Sequence, residues 1–274
     1  MSDVNLPQLL TPVIDVVESA GKLIETEWAR EDGPRGQGDK ADVDVEIELI
    51  LREQLLALLP CDFWGEETGH TLTGHAYCWV VDPNDGTADF LRGLKGSAIS
   101  VGLLHHSTPV LGVVYAPVTE DRGADCIAWA EGLPELLRNG QSVKVDLSDR
   151  KLTDADHVMV SAAAVSKPQL NAKLCAPGHF VSMPSIAYRL ARVGAGDGIC
   201  AVSLYPVSAH DVVAGHALLR ASAGVLIDQN GVEISYCTVA AMATVSLRCF
   251  GGAPQACETL VARNWQLLLG NDVS

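Results

Sequence analysis

The sequence predicts a layered protein of the α+β class, in which helices cover sheets that are mostly antiparallel in the first half of the chain. In some segments apolar residues recur at helical spacing, in others they alternate or run without interruption, and the two kinds of segment alternate along the chain. Hydrophobic residues make up 48% of the 274 residues. That fraction is enough to build a sizeable core.

The first predicted half, residues 1–150, opens with two helices. Apolar residues at helical spacing predict a helix from Leu6 to Ala29. A loop rich in glycine and charge follows, and a second helix is predicted from about Asp42, its N-cap, to Leu59, before Pro60. The predicted strands of this half are Val80–Asp82, Ala98–Leu104, Val110–Tyr115 and Asp125–Ala130.

A polar stretch from Leu147 to Asp156 predicts a seam between this half and a second one, residues 151–274. The second half is predicted to begin with a strand, His157–Ala162, and to contain two helices. These helices, Ile186–Val193 and Ser208–Ala223, are each followed by a glycine, which is typical of a helix C-terminus.

The composition excludes several classes of partner. The net charge of −15 argues against a nucleic acid polymer and against an anionic membrane, because both require a basic surface. An acidic protein that handles phosphate groups needs metal ions to reverse the sign of its site. The eight cysteines are scattered and form no C-x-x-C pair, so we expect buried, reduced thiols in a cytoplasmic protein.

The most informative stretch runs from Trp79 to Thr87. Its apolar residues predict the end of a buried strand, and Pro83 predicts that the strand leaves its sheet there. Gly86 permits a tight turn. Asp82 and Asp85 would repel each other on this turn unless cations lay between them, and Mg²⁺ prefers such oxygen ligands. A Mg²⁺ site and an ordinary surface turn are equally good interpretations of this stretch alone.

Three other segments place acids at the ends of elements. Asp44 and Glu48 share a face near the start of the second helix, Glu66 and Glu67 follow a bulky apolar pair, and Asp211 lies near the start of a late helix. Each has an ordinary explanation, either a favourable interaction with a helix dipole or a solvated loop. Four such acidic ends in one chain make it improbable that all are ordinary.

In this order, three motifs resemble the signature of the inositol monophosphatase superfamily, which comprises Mg²⁺-dependent, lithium-sensitive phosphatases. They are Gly65-Glu66-Glu67, the run from Asp82 to Thr87, and Asp211 followed by Ala214-Gly215. The resemblance extends from the first helix to Asp228. It implies the inositol monophosphatase or sugar phosphatase-like fold, layered α-β-α-β-α. The first half would carry the metal motifs, and the second would supply the late aspartate and the substrate loops. Members are often homodimers, so we expect one here.

The resemblance also implies a role for each residue of these motifs. The implied metal ligands are Glu66, Asp82, the backbone carbonyl of Asn84, Asp85 and Asp211. Glu66 also belongs to the implied catalytic set, together with Asp44 and Thr87, which position and help to deprotonate the attacking water. Gly86 and Thr87 would hold the phosphate at a helix N-terminus.

The chain departs from the family pattern at three positions. His210 stands where the family usually has tryptophan, which predicts either a substrate contact or a residue that only fills space. Ala41 replaces a threonine near the water-activating residues, and Ala88 replaces the second threonine of the central motif. The substrate loops would lie between residues 183 and 211, where Ser185 is a candidate contact.

These observations favour hydrolysis of a small phosphorylated metabolite, a polyol or sugar phosphate, by metal-activated water. One alternative is a 3′(2′),5′-bisphosphate nucleotidase acting on 3′-phosphoadenosine 5′-phosphate, because the strand from Val110 to Pro117 resembles that branch of the superfamily. Another is a catalytically weak protein that binds a phosphorylated metabolite, which Ala41 and His210 would mark. A structural protein with accidental motifs is remote.

Overall fold

The computed structural model describes residues 4–269. The helices of the first half are α1 (Leu6–Trp28), α2 (Asp42–Leu58) and α3 (Thr87–Leu91). Its strands are β1 (Gly36–Gln37), β2 (Lys40–Ala41), β3 (Asp62–Gly65), β4 (His70–Thr71), β5 (Tyr77–Asp85), β6 (Ala98–His105), β7 (Thr108–Ala116), β8 (Asp125–Ala130), β9 (Leu136–Arg138) and β10 (Gln141–Val143).

The remaining elements follow a connection from residue 144 to residue 156. The strands are β11 (His157–Ser161), β12 (His179–Met183), β13 (Cys200–Ser203), β14 (Val225–Asp228) and β15 (Cys249–Gly252). The helices are α4 (Pro168–Cys175), α5 (Ile186–Gly194), α6 (Ala209–Ala221), α7 (Val239–Ala243), α8 (Pro254–Val261) and α9 (Gln266–Leu269), with a 3₁₀-helix at Ala162–Ser166. Within residues 4–269, no helix combines the length and apolar character needed to cross a membrane.

Two large sheets organise the molecule. The first has eight strands in the order β10-β9-β8-β7-β6-β5-β3-β4, and every neighbouring pair in it is antiparallel except β3 with β5. The second has five strands in the order β12-β11-β13-β15-β14 and is mixed. The prediction of a mostly antiparallel first half is therefore confirmed.

The elements stack in layers, as predicted. Helices α1 and α2 cover one face of the large sheet, α5 and α6 contact both sheets, and α4 and α8 contact the smaller sheet. Alternate residues of β6 serve different layers, because successive side chains of a strand point to opposite faces. Ile99, Val101 and Leu103 belong to the core under α1 and α2, whereas Ala98 and Leu104 belong to the core around α5 and α6.

The boundary between the two sheets falls between residues 143 and 157, in the stretch where the sequence predicts a seam. One hydrophobic core nevertheless crosses it, because Val80 and Val114 of the first half belong to the same cluster as Val158 and Val202 of the second. The division into two halves stays a prediction.

The two N-terminal helices form where apolar spacing predicts them. In α1 the side chain of Asn5 caps the N-terminus by accepting a hydrogen bond from the backbone N–H of Gln8 (3.2 Å). The predicted cap of α2 is wrong by one residue. Ala41 is the N-cap and Asp42 is the first helical residue. The carboxylate of Asp44 is the acceptor that faces the backbone N–H of Ala41 (3.4 Å).

Strand β5 does not leave its sheet at Pro83, contrary to the prediction. The strand continues to Asp85, and an irregularity in its pairing with β6 lies between Asp82 and Asp85. There three steps along β5 match two along β6, from Ser100 to Ala98. This bulge accommodates a proline that has no N–H to donate. Residues three apart in a regular strand point to opposite faces, so the extra residue allows both carboxylates to reach the same side.

Close packing of α6 on the large sheet positions the late aspartate. A Cβ atom at Gly112 of β7 would overlap the backbone carbonyl of Ala214, and one at Gly102 of β6 would overlap Val213. Glycine at these positions therefore lets the N-terminal part of α6 approach the sheet closely. The hydroxyl of Ser100 on β6 also donates to the backbone carbonyl of His210 (3.1 Å).

All eight cysteines are free thiols, and six of them are buried. Cys61 is partly buried and Cys237 is exposed. Burial raises the pKa of Cys78 and of Cys175 to about 12, so these thiols stay protonated and act as small apolar groups. The prediction that most of the thiols are buried is confirmed, and their reduced state stays a prediction.

Candidate active site

One cleft of about 650 Å³ collects acids from separate elements. Glu66 directly follows β3, and Asp82 and Asp85 lie at the C-terminal end of strand β5. Asp211 lies in the first turn of helix α6. Asp44, from the first turn of α2, reaches the same place through its contacts with β5 and α3. The structure therefore brings together acidic residues that lie as much as 167 positions apart in the sequence.

The side chains that could bind a metal form two overlapping groups, and Asp82 belongs to both. In the first group, one ligand atom each from Glu66, Asp82 and His210 lies within 4.8 Å of the others. In the second group the same holds for Asp82, Asp85 and Asp211. Two metal positions joined by a shared carboxylate fit this arrangement, and paired metals of this kind suit phosphoryl transfer.

The pKa values of the acids in this cleft are raised above their usual range. Burial, and then the charges of neighbouring acids, raise the pKa of Glu66 to about 8, and burial together with Asp211 raises that of Asp85 to about 6. Burial raises the pKa of Asp211 to about 6 despite the nearby Arg189, and the pKa of the enclosed Asp82 lies well above its usual range. Cations bound between the acids would reverse these shifts.

The donor set fits a hard divalent ion. The acids provide carboxylate oxygens, which Mg²⁺ prefers. The acids also come from both candidate groups, and in each group the ligand atoms lie within 4.8 Å of one another. The residues present therefore suit metal binding.

Next to the acids lies a hydrogen-bonded triad of Asp44, Asn84 and Thr87. The amide nitrogen of Asn84 donates to one oxygen of Asp44 (3.0 Å), and the other oxygen lies 3.0 Å from the hydroxyl of Thr87. That hydroxyl also lies 2.9 Å from the backbone carbonyl of Asn84, so it donates to one acceptor at a time. Burial raises the pKa of Asp44 to about 6, against the effect of these hydrogen bonds. At pH 7 Asp44 is therefore mostly ionised and acts as an acceptor.

Ser185 takes a different place from the one predicted. Its side chain is fully buried, its hydroxyl donates to Asp85 (2.5 Å), and the same oxygen accepts the backbone N–H of Tyr188 (2.9 Å) as the N-cap of α5. The backbone N–H of Ala187 donates to the same oxygen of Asp85 (2.6 Å). A buried hydroxyl with both contacts filled has no surface for a substrate, so Ser185 orients Asp85 instead.

Sequence reasoning missed the part that Glu48 plays. This fully buried carboxylate accepts the backbone N–H groups of Glu67 (2.9 Å) and Thr68 (2.6 Å) and the hydroxyl of Thr68 (2.5 Å). It therefore fixes the loop that carries Glu66. A Cβ atom at Gly65 would overlap the Glu48 carboxylate, which explains why glycine precedes the two glutamates. The spacing of four residues from Asp44 was the available signal, because it places Glu48 on the site's face of α2.

His210 faces the acids of the cleft. Its Nε2 atom lies 3.9 Å from an oxygen of Glu66 and 3.8 Å from an oxygen of Asp211, and its side chain is 16% exposed. Its Nδ1 atom is buried and has no hydrogen-bond partner in the described part of the chain. Burial lowers the pKa of His210 to about 4, so the ring is neutral at pH 7. The predicted substrate contact stays a prediction.

Of the remaining predicted positions, Gly86, Thr87 and Ala88 line the cleft, whereas Ala41 is the N-cap of α2. Gly86 has a left-handed φ of 97°, which favours glycine, and with Thr87 and Ala88 it lines the cleft. Ala41 is buried under the start of α2 and leaves the triad intact. The phosphate contacts predicted for Gly86 and Thr87 stay predictions.

Comparison with known proteins identifies the family. The model of the inositol monophosphatase family matches residues 5–266. The chain belongs to the inositol monophosphatase family. Its members are metal-dependent hydrolases of phosphate monoesters, and the chain is therefore an enzyme of this class.

Individual relatives carry different substrate names. The inositol-1-monophosphatase of Rhizobium meliloti is 30% identical over 255 residues, covering 81% of this chain and 86% of the relative. The 3′(2′),5′-bisphosphate nucleotidase CysQ of Aggregatibacter actinomycetemcomitans is 28% identical over 240 residues, covering 83% of this chain and 87% of the relative.

Two solved structures support the fold. The extragenic suppressor protein SuhB of Bartonella henselae superposes with a TM-score of 0.73 at 18% identity, covering 96% of this chain and 98% of that one. The inositol monophosphatase of Anabaena gives a TM-score of 0.70 at 21% identity, with 94% of each chain covered. The predicted inositol monophosphatase-type fold is confirmed.

Proposed function

We propose that this family member is a Mg²⁺-dependent phosphomonoesterase that hydrolyses a small polyol or sugar phosphate. One observation carries the proposal: two groups of possible metal ligands share Asp82 and lie beside the Asp44–Thr87 pair in one cleft. The metal ligands proposed are Glu66, Asp82, the backbone carbonyl of Asn84, Asp85 and Asp211.

Each part of the site has a separate role in the proposed reaction. Metal ions held by these ligands would supply positive charge for the phosphoryl group and would lower the pKa of the attacking water. Asp44 accepts the hydrogen of the Thr87 hydroxyl, so the lone pairs of that hydroxyl point a water molecule at the phosphorus. Asp44 and Thr87 together position this water and help to deprotonate it, and Glu66 belongs to the same catalytic set as a metal ligand. Gly86 and Thr87 hold the phosphate oxygens.

The preference for a polyol or sugar rests on the wall of the cleft beyond the phosphate position. Asp89 and Arg92, joined as an ion pair, and Ser161 line that wall. Charged and hydroxyl groups suit a leaving group that carries several hydroxyls, because each hydroxyl needs a polar partner when it is buried.

One feature favours a nucleotide as a second candidate. A smaller cavity of about 160 Å³ shares Ser161, Ala163 and Tyr205 with the cleft and continues along apolar Val202 and Leu204. The side chain of Tyr205 is 57% exposed and offers a face on which a base could stack. The bisphosphate nucleotidase named among the relatives agrees with this candidate.

Phosphate release from a panel of esters tests both candidates. The panel contains inositol 1-phosphate, fructose 1,6-bisphosphate, histidinol phosphate and 3′-phosphoadenosine 5′-phosphate, each with Mg²⁺ and with EDTA. Release from a polyol or sugar ester that stops with EDTA supports the first candidate. Preferential release from the nucleotide supports the second, and Tyr205→Ala should then raise KM for that ester by about tenfold, because stacking contributes roughly 1–3 kcal/mol.

A further outcome of the ester panel concerns the catalytically weak binder. Metal binding without release from any ester would favour the catalytically weak binder.

The homodimer is a proposal that rests on the family resemblance, and sedimentation equilibrium tests it. The cytoplasmic location is a proposal that rests on the cysteine content. The net charge of −15 supports small anionic partners held through metal rather than nucleic acid or membrane.

A further inference from the structure

Two histidines on α6 differ in how their rings are satisfied. His216 is buried in the core, and its Nδ1 atom lies 3.0 Å from the hydroxyl of Tyr236, as expected for a histidine that only packs. His210, six residues earlier, has no hydrogen bond to either ring nitrogen within residues 4–269. Instead its Nε2 atom faces the carboxylates of Glu66 and Asp211.

The distance between Nε2 of His210 and the carboxylate of Glu66 is that of two ligands that share an ion. At 3.9 Å from Glu66 and 3.8 Å from Asp211, the nitrogen is too far from either oxygen for a hydrogen bond. Nitrogen and oxygen ligands lie about 2.0–2.2 Å from a zinc ion, so two of them around one ion are roughly 3–4 Å apart. Ligand atoms of Glu66, Asp82 and His210 also lie within 4.8 Å of one another.

We propose that Nε2 of His210 is a ligand of the metal ion held by Glu66 and Asp82, and that this position binds Zn²⁺ more tightly than Mg²⁺. The inference rests on the metal site of the proposed function. Imidazole favours transition metals, whereas a set made only of oxygens favours Mg²⁺. The neighbouring position, formed by Asp82, Asp85 and Asp211, has only oxygen ligands. The two positions therefore differ in the metal that they prefer.

Electron spin-echo spectroscopy of the Mn²⁺-loaded protein tests the bond directly, because a coordinated imidazole nitrogen modulates the echo. The wild-type protein should show this modulation, and growth with ¹⁵N-labelled histidine should change its frequency. His210→Gln should abolish it. His179→Gln, at an exposed histidine of β12, should retain it. Mn²⁺ bound to the wild-type protein without nitrogen modulation would overturn the inference.

Titration calorimetry measures the metal preference. His210→Gln should weaken Zn²⁺ binding by at least about tenfold and change Mg²⁺ binding by less than about twofold, since Mg²⁺ gains little from an imidazole ligand. Equal losses for both ions would overturn the preference. If the wild-type protein hydrolyses a phosphate ester with Mg²⁺ but shows no nitrogen modulation, the inference fails and the proposed function stands. If it binds no divalent ion and releases no phosphate, both fail.

Discussion

Two regions of the molecule enclose aspartates, and the pKa values of these aspartates shift in opposite directions. In the cleft, Asp82 and Asp85 lie among other acids, and burial raises the pKa of both. Next to strand β8, Asp125 is also buried and Asp197 is partly buried, but arginines accompany both of them. Burial alone would raise the pKa of Asp125, yet the Arg138 guanidinium and the Tyr188 hydroxyl hold it below its usual range.

The second region is a charge network of Asp125, Arg138, Asp197 and Arg192. Arg138 bonds to Asp125 (2.5 Å) and to Asp197 (2.9 Å), and Arg192 bonds to Asp197 (2.7 Å). The network carries its own counter-charges, whereas the acids of the cleft outnumber the nearby arginine, Arg189. A group of buried acids without enough counter-charge destabilises the fold, so its presence indicates a ligand that supplies the missing charge.

The largest expected effect comes from the cleft. Asp85→Asn removes a ligand from the proposed Mg²⁺ site, and Mg²⁺-dependent turnover should fall by roughly a thousandfold, because a metal contributes several kcal/mol to phosphoryl transfer. Phosphate release at saturating Mg²⁺ measures this loss.

The fold should survive this substitution, since it relieves repulsion between Asp85 and Asp211. The melting temperature of the metal-free variant should equal or exceed that of the wild-type protein. Asp149→Asn, at an exposed loop position, changes the net charge equally and should leave activity unchanged. Wild-type turnover in Asp85→Asn would remove this residue from the site.

The charge network should show the reverse pattern. Arg138→Leu leaves Asp125, whose side chain is fully buried, without its main partner, so the free energy of unfolding should fall by about 3 kcal/mol. Urea denaturation at pH 7 measures the loss, and activity per folded molecule should be retained. Arg122→Leu removes a more exposed arginine that lies outside the network but contacts Asp197 (3.3 Å), and should cost less than about 1 kcal/mol. Equal losses in the two variants would contradict this assignment.

The two regions should also respond oppositely to pH. The pKa values of Asp85 and Asp211 are raised to about 6 in the metal-free folded state, so this state holds protons that the unfolded chain has lost, and stability falls as pH rises from about 4 to above 6. The pKa of Asp125 is lowered, so its contribution is present above about pH 4 and is lost as pH falls through the lower folded value.

Added Mg²⁺ separates these contributions. At pH 8 and a hundred times its Kd, Mg²⁺ should stabilise the protein by about 2.7 kcal/mol. At pH 5 the gain should be smaller, because protons occupy the same carboxylates. Thermal unfolding at both pH values, with Mg²⁺ and with EDTA, measures the difference. A larger gain at pH 5 than at pH 8 would contradict metal binding at these acids.

Local patterns in the sequence predicted a layered arrangement and picked out the acids of the cleft as candidates, and the family resemblance supplied the fold and the role of each acid. The acids occur at the ends of elements, and the run from Asp82 to Thr87 combines a strand, a proline and a glycine within nine positions of Trp79. The bulge at Pro83 was missed, because a proline ends a strand or bends it depending on how the neighbouring strand pairs.

The contacts that orient the ligands could not be predicted in this way. Ser185 lies 100 positions from Asp85, and Glu48 lies 20 positions from Thr68, so only the packed structure shows that each pair is joined by a hydrogen bond. The position of His210 beside Glu66 likewise depends on how closely α6 packs against the large sheet.

The smallest expected effect shows whether Ser185 only caps its helix or also orients the metal ligand Asp85. Ser185→Ala removes the N-cap of α5 and should lower the free energy of unfolding by about 1 kcal/mol. Thr238→Ala removes the N-cap of α7, where the hydroxyl accepts the backbone N–H of Ala241 (3.0 Å), and should cost a similar amount. Only Ser185→Ala also removes one of the two hydrogen bonds that orient the carboxylate of Asp85, so it alone should raise the Mg²⁺ concentration needed for half-maximal activity, by several-fold. If the two variants need the same Mg²⁺ concentration, Ser185 supports only its helix.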